Sequence, residues 1–179
     1  SQALQDLGVE VWAHPYLADV EAFFERYGKL YDVIILSRHY VASLYIDFVR
    51  RYAPKAKLVF DTVDLHYLRE ERQAALEGSA SIREQAAHTR RAEVEVMARC
   101  DLTVVVSPAE CIELKASTPS TQVAILSNVV ESKGCRRSFQ ERSDIWFIGG
   151  FQHTPNVDAM RFFAGSVMPL LNRSAPQLK

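Results

Sequence analysis

No run of about 18 or more apolar residues occurs in this 179-residue chain, so nothing in it reads as a membrane span. Attachment to a membrane surface needs only one face and stays compatible with the composition. Cysteine is scarce: Cys100, Cys111 and Cys135 form an odd, scattered set without a C-x-x-C pair. That usage fits a reducing compartment better than a disulfide framework. The expected location is therefore cytoplasmic, with room for contact at the inner face of a membrane. Neither G-x-G-x-x-G nor G-x-x-x-x-G-K-[ST] occurs, so neither the dinucleotide fingerprint nor the P-loop is supported. Positive charge is not concentrated either. The net charge is -1, no basic face is evident, and nucleic acid is a poor default partner. No secretory leader, short-period repeat or low-complexity tract is legible. The opening "SQALQDLGVEVW" lacks Met and reads as a helix end running into a strand. The closing "SAPQLK" stops where another strand is due. The chain is expected to be a piece of something longer.

What is present is an alternation. Strands are expected at Val9–Ala13, Asp32–Ser37, Leu58–Asp61, Leu102–Val106, Gln122–Leu126 and Ile145–Ile148. "DVIILS" and "DLTVVVS" are almost continuously β-branched and apolar, as strands buried on both faces must be. Helical periods lie between them. "LADVEAFFERYG" puts Val20, Phe23, Phe24 and Tyr27 on one stripe and stops at Gly28. "VASLYIDFVRRYAP" does the same up to Pro54. Ser81 and Glu84 have capping-box spacing, as do Ser107 and Glu110, the latter pair with Pro108 between them. In "TPNVDAMRFFAGSVMPLL", Pro169 should kink or end the helix. Strand–helix alternation means a parallel α/β sheet with right-handed crossovers. The polar stretch "VVESKGCRRSFQERSD" reads as a linker. The expected division is residues 1–130, a linker at 131–144, and a new strand–helix unit at 145–179.

In an open α/β sheet, ligands bind beyond the carboxyl ends of the strands. Polar residues at those points include His14, Ser37, Arg38, His39, Asp61, Asp64, His66, Ser107, Asn128, Gly149 and Gly150. Ser107 is accounted for by capping. Arg38 suits a phosphate or carboxylate, or simply a helix start. Gly149 and Gly150 let backbone approach a phosphate at a helix N-terminus, with His153 in the same loop. The densest group is in "VFDTVDLHYLREERQ". A carboxylate beside an imidazole fixes the ring's tautomer, which suits acid–base work or orientation of a hydroxyl. Alternatively, Asp64 caps the helix over 66–77 and His66 sits in its first turn. Spacing alone leaves both open. As a metal site, Asp61, Asp64 and His66 lack a second cluster to complete a shell, so no metal is expected.

The segments "YDVIILSRHYVA", "VFDTVDLHYLREERQA", "CDLTVVVSPAE", "SNVVE" and "FIGGFQHTPNVDAMRFF", in that order, resemble family 4 glycosyltransferases of the GT-B fold. The likeness covers essentially the whole chain and is nearest to bacterial members assigned to cell-surface polysaccharide synthesis. It implies a Rossmann-like parallel sheet with helices on both faces, facing the acceptor, followed by the first βα unit of a donor-binding domain. It implies transfer of a sugar from a nucleotide sugar to a glycan or lipid-linked acceptor, with neither metal nor cofactor. Carried over by position, Asp61, Asp64 and His66 are expected to be catalytic, on the acceptor-side wall. Ser37, Arg38, Asn128, Gly149, Gly150 and His153 are expected to bind substrate. Two parts of the family pattern are missing from the chain: the first strand with its glycine loop, and the E-x7-E grip on the donor. The first strand would lie mid-sheet. Docking of "IWFIGG", or strand exchange in a homodimer, would fill its place. A non-catalytic binding or scaffold module of the same fold is the alternative function. A flavodoxin-like domain ranks behind both.

Overall fold

The computed structural model describes residues 2–132, 134–135, 137–152 and 154–176. It divides into two compact units, Ser1–Val129 and Val130–Lys179. The first unit opens with α1 (Gln2–Asp6) and α2 (Val20–Tyr27), then alternates. It runs β1 (Val33–Ser37), α3 (His39–Tyr52), β2 (Lys57–Asp61), α4 (His66–Glu77), α5 (Ala80–Ala98), β3 (Leu102–Val105), α6 (Pro108–Ser117) and β4 (Val123–Ile125). The strands form one parallel sheet in the order β1-β2-β3-β4. This is the expected Rossmann-like α/β arrangement.

Side chains alternate across β1 and β2, so Ile34, Leu36, Leu58 and Phe60 all point to one face. There they join Ala42, Ile46 and Val49 of α3, Val96 and Met97 of α5, and Leu114 of α6 in one core. Burying such side chains is the main stabilising term, at about 1.5–3 kcal/mol for each large one. The opposite face is open at β1, where Val33 and Ile35 are 53% and 58% exposed. The expected second layer of helices is incomplete at that edge.

Local signals set the helix ends, with one shift. Asp19 caps α2 by accepting from the Ala22 N–H. The Ser107–Glu110 capping box forms as expected. For α5, the cap is Ser79 rather than Ser81. Gly78 ends α4 in the left-handed region at φ 64°, so the chain is already turned when it reaches Ser79. Ser79 accepts from the Ile82 N–H, and Ser81 falls inside the first turn.

Two expected strands do not form. Val9–Ala13 is irregular, and so is Ile145–Ile148 in the second unit. A strand is stabilised by its ladder, and neither segment has a neighbouring strand to pair with among the described residues. β1–β4 pair without interruption, so no gap separates them, and "IWFIGG" adds nothing to the sheet.

The second unit contains α7 (Thr154–Phe162) and α8 (Met168–Ser174). A π-helical segment, Phe163–Val167, joins them. Its wider turn lets the Met168 N–H reach the Phe163 carbonyl. Pro169 then sits in the first turn of α8, where no N–H is required. The expected disruption at Pro169 thus takes the form of a π-bulge.

One polar clamp ties the sheet together. Asp101 Oδ2 accepts from the Leu58 N–H at 2.8 Å and from Arg50 at 3.3 Å, while the Asp101 N–H donates to the Leu58 carbonyl. The Leu58 N–H, then the Arg50 charge, hold the Asp101 carboxyl below its usual range. A lowered carboxyl pKa contributes stability that is present above the unfolded pKa of about 4 and is lost as pH falls through the folded value. Asp101→Asn is therefore expected to lower the urea midpoint at neutral pH and to flatten its decline below about pH 4. Urea titrations of both forms from neutral to acid pH test this; parallel curves would refute it.

Candidate functional site

β1 and β2 end side by side, with Ser37 in register with Asp61. The Ser37 hydroxyl donates to Asp61 Oδ2 at 2.9 Å, and the Arg38 N–H donates to the Asp61 carbonyl at 2.8 Å. Each strand is followed by a left-handed residue that is not glycine: Arg38 at φ 70° and Val63 at φ 65°. For a β-branched residue this conformation costs about 1–3 kcal/mol. Val63 is held there because its N–H donates to Asp61 Oδ1 at 3.1 Å, while buried Thr62 anchors to the Val104 carbonyl through both its N–H and its hydroxyl.

The N–H groups that follow in the turn are received by carboxylates from distant parts of the chain. The Leu65 N–H donates to Glu110 at 3.2 Å. The His66 and Tyr67 N–H groups donate to the two oxygens of Glu93, at 3.0 and 3.3 Å. Glu93 lies on α5 and is fully buried. It, and not Asp64, occupies the amino end of α4; the N-cap position is Leu65, whose side chain makes no capping bond. Asp64 instead pairs with Arg69 and stands beside His66, whose Nδ1 is 3.1 Å from the Asp64 carbonyl and 3.5 Å from Oδ1.

A second imidazole completes the group. His39, the first residue of α3, meets His66 edge to face with ring centres 5.1 Å apart. Nδ1 of His39 is 3.5 Å from Glu93 Oε1, and Nδ1 of His66 is 3.3 Å from it. Tyr40 borders both rings, and its hydroxyl accepts from Arg38 at 2.8 Å. Burial pushes the Glu93 carboxyl up, an effect partly offset by the His66 and Tyr67 N–H groups. Burial, then the neighbouring His66, pushes His39 down.

The structure thus gathers Ser37 with Asp61, and Asp64 with His66, at the carboxyl ends of adjacent strands, with Arg38 beside Tyr40. Asn128 follows β4 and is exposed; no side-chain hydrogen bond joins it to this group. Gly149 and Gly150 belong to the second unit. A Cβ on Gly149 would come within 2.7 Å of the Phe147 ring and 2.8 Å of Asn156 Nδ2, so these two side-chain ends would have to shift to admit one. Asn156 also donates to the Gly150 carbonyl at 3.0 Å. His153 lies outside the described residues.

Glu93 is not among the polar residues expected at the strand ends, whereas His39 is. A signal for Glu93 existed: it shares a helical stripe with Ala86, Thr89, Val96 and Met97, all buried. Spacing offers Asp61, Asp64 and His66 as the metal-ligand candidates. Among the described residues, the set that converges is His39, His66 and Glu93, whose ligand atoms lie within 4.8 Å of one another.

No protein-family model, curated protein or solved structure matches the chain.

Val63→Gly relieves the left-handed strain without removing a buried side chain. It is expected to stabilise the protein by about 1 kcal/mol in urea unfolding. An unchanged or lower stability would mean that the turn costs nothing as built.

Proposed function

We propose that the chain forms the acceptor-side part of a sugar transferase that uses a nucleotide-sugar donor. The observation that carries this reading is the Asp64–His66 pair, held beside Ser37 and Asp61 where two parallel strands end. Such strand ends are where open α/β sheets bind ligands. Hydroxyl–carboxylate pairs such as Ser37–Asp61 suit the hydroxyl groups of a glycan. In the proposed reaction, an acceptor hydroxyl forms the new bond to the anomeric carbon. The bond from that carbon to the nucleoside diphosphate breaks, and the diphosphate takes the electron pair. His66, oriented by Asp64, receives the acceptor proton. Gly149 and Gly150, ahead of α7, are the proposed backbone contacts for the donor diphosphate. The resemblance in sequence supports the substrate class: a nucleotide sugar as donor, with a glycan or lipid-linked acceptor.

The test is transfer by a protein that pairs this chain with a complete donor-binding half, screened against a panel of nucleotide sugars. Asp64→Asn is expected to lower kcat by up to about 10²–10⁴-fold, the usual contribution of the acid–base group, His66, that it orients. The chain by itself is expected not to turn over. A kcat unaffected by Asp64→Asn would remove the pair from the chemistry. Glycan binding without any transfer would favour the non-catalytic module.

A further inference from the structure

We propose that His39, His66 and Glu93 form a binding site for a divalent transition-metal ion of the zinc type. Three separate elements converge to make it: the first turn of α3, the first turn of α4, and the buried face of α5. Zinc holds imidazole nitrogen and carboxylate oxygen at about 2.0–2.2 Å, so neighbouring ligand atoms of a tetrahedral site lie roughly 3.3–3.5 Å apart. Glu93 Oε1 is 3.3 Å from Nδ1 of His66 and 3.5 Å from Nδ1 of His39. Both nitrogens therefore already stand at ligand spacing from one oxygen.

Two further observations point to an ion. Nδ1 of His39 is buried yet has no hydrogen-bond partner. A ring nitrogen out of water that neither donates nor accepts is costly unless something else satisfies it. Glu93 is fully buried, and among the described residues no Lys or Arg pairs with it; its ion-pair contacts are the two imidazoles. An ionised carboxylate so buried is stabilised by a cation, and two backbone N–H groups supply only partial charge. A divalent ion shared by both neutral rings would satisfy the orphaned nitrogen and the carboxylate together. Mixed imidazole and carboxylate donors suit zinc and its neighbours rather than magnesium or calcium, which take oxygen. Glu70 lies one turn beyond His66 on α4, and its buried Oε2 also lacks a partner. It falls outside the converging set of three, so the fourth position is left to a water. Binding replaces the contact of His66 Nδ1 with the Asp64 carbonyl.

The site takes His66, the base of the sugar-transfer reading, so the two readings compete for that ring, and the metal test needs no turnover. The chain is dialysed against a chelator, then titrated with ZnCl2 by calorimetry and, separately, with Co²⁺ by visible absorption. One equivalent of Zn²⁺ is expected to bind and raise Tm, with Co²⁺ giving the intense bands of a tetrahedral site. His39→Ala is expected to weaken binding by about 100-fold or more while circular dichroism shows the fold retained. Glu93→Gln keeps an acceptor for the α4 N–H groups and is expected to weaken binding likewise. Cys135→Ser is expected to bind as the parent does. The proposal is overturned by an absence of saturable one-to-one binding. It is equally overturned if affinity is unchanged in His39→Ala, or lost in Cys135→Ser, since the ion would then sit elsewhere.

Discussion

A helix that starts inside a protein brings free N–H groups with it, and something must accept them. In α4 that acceptor is the carboxylate of Glu93, donated from the next helix and shut away from water. The arrangement fixes where α4 begins relative to α5, and so where His66 points. It also draws in His39 at the start of α3. Remove the carboxylate and α4 loses the acceptor for its first N–H groups, while the imidazoles of α3 and α4 lose the charge they share.

The same device recurs around the turn after β2. Asp61 receives Val63, and Glu110 receives Leu65 while also closing its own capping box with Ser107. Glu110 thereby couples the turn after β2 to the turn after β3. Neighbouring strand ends are set at fixed positions by side-chain carboxylates as well as by the ladder. Asp61 and Asp64, three residues apart, end in different environments as a result. One is bound to a serine and a backbone N–H; the other lies beside an imidazole and a guanidinium.

Features with a local cause were legible in the sequence. β1 to β4 follow from apolar, β-branched runs between helical periods, and the α6 box follows from Ser107, Pro108 and Glu110. Asp64 and His66 could be paired because two positions separate them. Pairing across distance was not legible. Val9–Ala13 and Ile145–Ile148 have the composition of strands, but a strand also needs a neighbour, and composition does not reveal one. Glu93 was hidden for a related reason. In "RRAEVEVMA" it reads as one more charge on a solvated helix, and only its place in the Ala86–Met97 stripe marks it as inward. Gly78 moved the α5 cap to Ser79 by a turn conformation that Ser81 and Glu84 could not signal.

The Glu93 contact also bears on how the chain reaches this structure. β2 and β3 are joined by the longest crossover in the sheet, and their pairing must close that whole loop before it yields any ladder. The bond from the His66 N–H to Glu93 closes 27 residues of the crossover within the α4–α5 hairpin. With that shorter loop already closed, the remaining search for β2–β3 pairing is cheaper by about 1 kcal/mol of chain entropy. Chain entropy alone thus favours an order of assembly in which the hairpin held by this carboxylate closes before the sheet.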